Sequence, residues 1–135
     1  MQKVKAYICK EKDGSYSIYV NEKAPINYGL IGEGNTVQAA IDEWHATYAE
    51  MKKSYAERGI DFVEADFEFA FDVPSFLEYY GRMITFRGLA KLTGISASQL
   101  SQYANGYRHP SPKTTAKIQT GLHNFATELS QVTLV

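Results

Sequence analysis

Apolar and polar residues alternate with period two at the start of the chain. Val4, Ala6 and Ile8 interleave with Lys3, Lys5 and Tyr7, and after Asp13-Gly14 the run Tyr16, Ile18, Val20 interleaves with Ser15, Ser17 and Tyr19. Alternation of this kind buries one face of a strand, so the two runs predict a β-hairpin in which Asp13-Gly14 supplies the positive-φ turn. Between Ala24 and Asn35, Pro25 and the glycines 29, 32 and 34 flank Tyr28, Leu30 and Ile31, predicting a third short strand between loops. From Thr36 the period becomes helical. Val37, Ala40, Ile41, Trp44, Tyr48, Met51 and Tyr55 form the stripe of one long amphipathic helix, capped by Asn35 or Thr36 and ended by Gly59. Period two returns from Ile60 to Val73. Val63, Ala65, Phe67, Phe69 and Phe71 lie on one face; Glu64, Asp66, Glu68 and Asp72 lie on the other.

Pro74 then breaks the strand, and Ser75 with Glu78 makes a capping box for a helix running to about Ile84, with Leu77, Tyr80 and Ile84 inward. The stretch from Phe86 to Asn105, FRGLAKLTGISASQLSQYAN, reads as a helix-turn-helix. Ala90 is small enough for a tight crossing, and Gly94 supplies a turn residue that tolerates positive φ. Ile95 points inward, and Ser96 with Gln99 caps the next helix. Leu100 and Tyr103 face Leu89, and Asn105-Gly106 suits a left-handed cap. Ser111-Pro112 opens a last helix whose Ile118, Leu122, Phe125 and Leu129 share a face, and Val132 to Val135 form a further strand or a contact arm. The expected fold is α+β. A small antiparallel sheet with one long helix (β-β-β-α-β) occupies residues 1–73, and an all-α helix-turn-helix domain of four to five helices occupies 74–135.

Composition narrows the function. The 135 residues are 44% hydrophobic and 13% aromatic, enough for one domain or two small ones. No apolar run reaches the roughly 18 residues of a membrane span, and MQKVKAYICK lacks the apolar region of a secretory signal, so a cytoplasmic location is expected. The single cysteine, Cys9, fits a reducing compartment as a buried or half-buried strand residue. Charge is divided sharply. Residues 1–81 hold 8 Lys/Arg against 14 Asp/Glu, net −6, whereas residues 82–135 hold 6 Lys/Arg against one acid, net +5. A basic second half beside an acidic first half is the footprint of a protein whose second half alone meets phosphate.

The second helix of the pair exposes Ala97, Ser98, Gln99, Ser101 and Gln102, short and uncharged groups that can read base edges. Glutamine pairs bidentately with adenine, and a small alanine accommodates a thymine methyl. Arg87, Lys91, Asn105, Tyr107, Arg108 and Lys113 surround that helix as candidate phosphate contacts. The acidic stripe Glu64, Asp66 and Glu68 is a solvated strand face, a docking stripe for a basic protein, or a divalent-metal site of nuclease type. His45, His109 and His123 lie on separate predicted elements, and no C-x-x-C, H-x-x-x-H, G-x-S-x-G or phosphate-loop spacing occurs. Neither a structural metal, a cofactor nor an enzymatic activity is expected.

Ala90, Gly94, Leu100 and the segment NGYRHPSPKT resemble the Cro and phage-repressor helix-turn-helix, the XRE type, over residues 75–129. The resemblance implies that Ala97, Ser98 and Gln102 face bases while Asn105 and Arg108 hold phosphate. Phe86 departs from that family, many of whose members carry a phosphate-binding glutamine there. The first half is similar to HicB-like antitoxins, through Tyr7, the GSYSIYV of Gly14 to Val20 and the GNTVQAA of Gly34 to Ala40. The family's P-D-L-P-G-C segment is replaced by NEKAPINYGLIG. That resemblance implies a partner, a small mRNA-cleaving toxin, and autoregulation of an operon; a protein that mainly sequesters such a toxin is the alternative. Domains this small are marginal, the smaller burying about 60% of its unfolded surface. Self-association would add burial and set two recognition helices about 34 Å apart on a palindromic duplex, so a homodimer is expected.

Overall fold

The computed structural model describes all of residues 1–135, which form two compact units, Met1–Asp72 and Val73–Val135. The first unit contains β1 (Gln2–Lys10), β2 (Tyr16–Val20), β3 (Ile31–Gly34), α1 (Val37–Glu57) and β4 (Ala65–Phe71). Val4, Ala6 and Ile8 of β1 and Tyr16 and Ile18 of β2 are buried, so the alternating pattern selects the face that turns inward. In the hairpin loop the positive φ belongs to Gly14 alone, at +88°, while the Gly14 N–H donates to the Glu11 carbonyl at 3.0 Å.

The sheet order is β3-β2-β1-β4, and β4 runs parallel to β1. This corrects the all-antiparallel expectation. A helix lying on one face of a sheet returns the chain to the end from which it left, so β3 and β4, joined by α1, must point the same way. Two antiparallel steps make β1 parallel to β3, and β4 docks beside β1. The acidic strand is also shorter than its pattern: Val63 is 37% exposed, Glu64 precedes the strand, and pairing begins at Ala65.

The third strand is displaced from the expected position. Tyr28 and Leu30 are buried outside it, and Gly32 and Gly34 are strand residues rather than loop residues. Their role is steric. A Cβ on Gly32 would stand 2.6 Å from the Ala40 carbonyl, and one on Gly34 would stand 2.6 Å from the Ala40 nitrogen. Helix α1 therefore lies directly on the β3 backbone, an approach that only glycine permits. Thr36 caps α1, its side chain accepting from the Ala39 N–H at 3.0 Å. At the far end Gly59, φ +67°, donates to the Ala56 carbonyl while Ile60 donates to Tyr55, the paired bonds of a Schellman cap.

Trp44 is fully buried between α1 and the sheet, in edge contact with Phe67 and Phe69 at centroid distances of 5.0 and 6.1 Å. Its indole N–H has no acceptor, at a cost of about 1–3 kcal/mol. Burying the ring offsets that cost, since truncating a buried Trp typically loses about 3–5 kcal/mol. Below it Tyr28 stacks on Phe62 at 4.3 Å, and Asn27 ties the two long loops together, accepting from the Val63 N–H and donating to the Asp61 carbonyl. Cys9 is half-buried and donates to Asp72 Oδ2 at 3.0 Å. Burial, and then that carboxylate, push its thiol up to about 11, which leaves it protonated and unreactive near neutrality.

The second unit comprises α2 (Val73–Tyr80), α3 (Phe86–Thr93), α4 (Ala97–Ala104) and α5 (Pro112–Leu129). Helix α2 begins two residues before the expected capping box, so Ser75 is a buried helical residue rather than a cap. Pro74 sits in the first turn, where its missing N–H leaves no bond unmade. The helix ends at Tyr80, short of Ile84. Leu77, Leu89, Ile95, Leu100, Tyr103 and Ile118 form the core, with Ala90, Ile84 and Leu122 packed against it. Leu129, expected to share the buried face of α5, is 55% exposed, and Val132 to Val135 form no strand.

The glycine packing of α1 on β3 is directly testable, because Trp44 is the sole tryptophan and reports on the first unit alone. Gly32→Ala should lower the urea-unfolding free energy followed by Trp44 fluorescence by about 1–3 kcal/mol. Gly29→Ala, where an added Cβ meets nothing within 4 Å, should change it by less than about 0.5 kcal/mol.

Candidate nucleic-acid interface

The α3–α4 pair is held by burial and aimed by its turn. Leu89 and Leu100 are fully buried where the helices meet, each contributing about 2 kcal/mol. Gly94 ends α3 in the left-handed region, φ +74° and ψ 7°, and its N–H donates to the Ala90 carbonyl at 2.9 Å. Thr93 stabilises the same corner, its hydroxyl donating to the Leu89 carbonyl and accepting from the Ile95 N–H. Ile95, 7% exposed, then anchors the turn in the core. Ser96 starts α4 by accepting from the Gln99 N–H at 3.1 Å. Its hydroxyl also donates to Gln99 Oε1 at 3.5 Å, so the glutamine amide meets the serine side chain rather than its backbone N–H.

With Leu100 and Tyr103 turned inward, the outward stripe of α4 is Ser98, Ser101, Gln102 and Asn105, spaced by three, four and seven. Ser98 and Asn105 are exposed, and Ser101 and Gln102 are half-buried. Ala97 and Gln99, the other two candidates, are half-buried to one side, with Gln99 engaged at the cap. Behind the helix a Schellman cap ties the next loop to it. Gly106, φ +78°, donates to the Tyr103 carbonyl, and the Gln102 carbonyl accepts from Tyr107 at 3.0 Å and Arg108 at 3.3 Å. The residue facing out from α4 and the basic loop are thus joined through one carbonyl.

Arg87, Lys91, Tyr107, Arg108 and Lys113 are all exposed, Tyr107 at 82%. Arg87 lies in the first turn of α3, where Thr85 accepts from the Gly88 N–H at 3.0 Å. Lys113 lies in the first turn of α5, where Ser111 accepts from the Thr114 N–H at 3.1 Å and Pro112 holds the first position. Neither turn carries an acid. Each of these two helix amino ends thus combines a side-chain cap, no acid and one exposed cation, the local electrostatics that favour an anion. Lys91 sits in the last turn of α3, where it also complements the helix dipole.

Three supports were not foreseen from the sequence. Thr85 as a cap was readable from its place before the helix. Gly121 replaces a side chain where α5 lies against the Leu92 carbonyl and the Thr93 backbone, and Lys117 passes over Gly94; both depend on contacts distant along the chain. The acidic candidates do not converge. Glu64 pairs with Lys52 of α1, while Asp66 and Glu68 stand in register beside Lys3 and Lys5 of β1. No group of three or more His, Cys, Asp or Glu side chains is arranged to hold a metal ion.

Residues 82–122 match the helix-turn-helix family model. The matched segment contains α3, the turn, α4 and the first half of α5, and it supports a DNA-binding transcription regulator of XRE type. No curated protein and no solved structure matches the chain. No helix is long and apolar enough to cross a membrane.

The cap that fixes the start of α4 has a local signature. Ser96→Ala removes the acceptor of the Gln99 N–H and should cost about 1 kcal/mol. Faster hydrogen exchange at Gln99 and a lowered melting temperature in far-ultraviolet circular dichroism would register the loss.

Proposed function

We propose that the protein is a sequence-specific, dimeric transcription regulator that inserts α4 into the major groove of its operator. The observation that carries this reading is the outward stripe Ser98, Ser101, Gln102 and Asn105, neutral and hydrogen-bonding, in a unit where the first turns of α3 and α5 carry exposed cations and no acid. Ser98 and Gln102 reach base edges, with Ala97 against a thymine methyl and Ser101 and Gln99 at the margin of the contact. Arg87, Asn105, Tyr107, Arg108 and Lys113 take phosphate oxygens, and Lys91 adds long-range attraction. The backbone N–H of Arg108 donates to the Gln102 backbone carbonyl, which supports a common frame for the proposed phosphate and base contacts.

For the first unit we infer a partner-binding role like that of HicB-like antitoxins, with the operator controlling the protein's own operon. Support comes from the element order β-β-β-α-β and from the acidic balance of that half. A gene for a small basic RNA-cleaving protein beside this one, with rescue of growth on co-expression, is the corresponding genetic result.

Duplexes selected from a random pool supply the operator for the binding test. Gln102→Ala should cost about 1–3 kcal/mol on the selected sequence and little on others. Arg108→Ala should weaken every duplex and reduce the salt-dependence slope by about one ion. Equal losses from both variants on all sequences would contradict base reading by α4.

A further inference from the structure

The sheet of the first unit has two unlike faces. Helix α1 covers the face of Val4, Ile8, Ile18 and the glycines of β3, and no helix of the unit covers the other. On that second face Tyr19 and Ile31, directly paired across β2 and β3, are 45% and 58% exposed. They border a hollow of about 700 Å³ that continues past Ser17 and Glu33 to the hairpin loop.

The two ends of this face carry different charge. Beside β4 the carboxylates of Asp66 and Glu68 are balanced by Lys3 and Lys5 in register. At the β2–β3 end the hollow is bordered by Glu11, Asp13 and Glu33 against the single cation Lys12. Glu11 accepts from the Ser17 hydroxyl and Asp13 from the Ser15 N–H and hydroxyl, so these carboxylates are held in place by neutral donors. The hydrogen bonds to Ser15 hold Asp13 below the usual carboxylate range, keeping it charged. The result is an exposed aromatic and aliphatic floor with an acidic border.

We propose that this end of the open sheet face docks a basic, extended polypeptide segment of a partner protein. Arginine is the side chain that fits: its stem and planar head lie on Tyr19 and Ile31 while its donors meet Glu33 and Glu11. Nucleic acid is disfavoured by the border charge. Addition of a strand at the β3 edge is disfavoured as well, because the Glu33 N–H already donates to Glu43 Oε2 at 2.7 Å. The partner therefore lies on the face and not along the edge. The inference rests on the first unit being the partner-binding unit, and it is independent of DNA reading by α4.

The test uses the ¹⁵N-labelled full chain, titrated with a synthetic peptide of alternating arginine and valine and, separately, with its glutamate counterpart. Shifts at Ser17, Tyr19, Ile31 and Glu33 with the basic peptide only are expected. Glu33→Lys and Tyr19→Ala should each weaken binding about tenfold while Trp44 fluorescence stays unchanged. Shifts centred on Asp66 and Glu68 would keep a partner-binding first unit and overturn this site. No shift anywhere in residues 1–72 would overturn both. Equal binding of the glutamate peptide, or the same shifts with a single-stranded RNA oligonucleotide, would overturn the proposed partner chemistry.

Discussion

The angle at which α4 leaves Gly94 governs everything the second unit presents to its surroundings. A left-handed residue there lets Leu89 and Leu100 meet in the core, and once they meet, the opposite side of α4 has to face outward. An L-residue with a side chain would resist that conformation by about 1–2 kcal/mol. Two buried leucines at about 2 kcal/mol each outweigh that, so burial supplies the stability and the glycine supplies the direction. Ser96 then fixes which residue begins α4, and with it which side chains fall on the outer stripe.

Both units use the same device of bringing one backbone against another where a glycine stands. In the first unit Gly32 and Gly34 let α1 lie on β3, and in the second Gly121 lets α5 lie on the end of α3. Each contact positions a long helix that caps a small core. In the second unit it also sets where the amino end of α5, with Ser111 and Lys113, stands within the domain. A small unit with few buried side chains gains from such contacts, because close approach extends burial without requiring larger residues.

The helix-turn-helix was legible because its signals are local: a turn glycine, a capping serine, an inward pair three residues apart and a glycine after the last turn all lie within Phe86 to Gly106. The hairpin and the long helix were legible for the same reason. What escaped depends on the assembled chain. Gly32 and Gly34 read as loop residues because their cause is α1 pressing from outside the local window. The parallel pairing of β4 with β1 follows from a crossover that periodicity does not record. At the site Ser98, Ser101 and Gln102 were named as outward from the sequence together with Ala97 and Gln99, which lie half-buried to one side, whereas the bond from the Arg108 backbone N–H to the Gln102 carbonyl and the engagement of Gln99 by Ser96 were not legible. The acidic stripe of β4 looked like one feature in sequence and divides into an ion pair with Lys52 and a lysine-flanked strand face in the fold.

The most direct test of the account is a shift map of the ¹⁵N-labelled full chain titrated with its selected operator duplex. The account predicts the largest changes at Ser98, Gln102 and the Tyr107–Arg108 loop, with the strands of the first unit unmoved. Changes concentrated on β1 to β4, with α4 left as in the free protein, would contradict it.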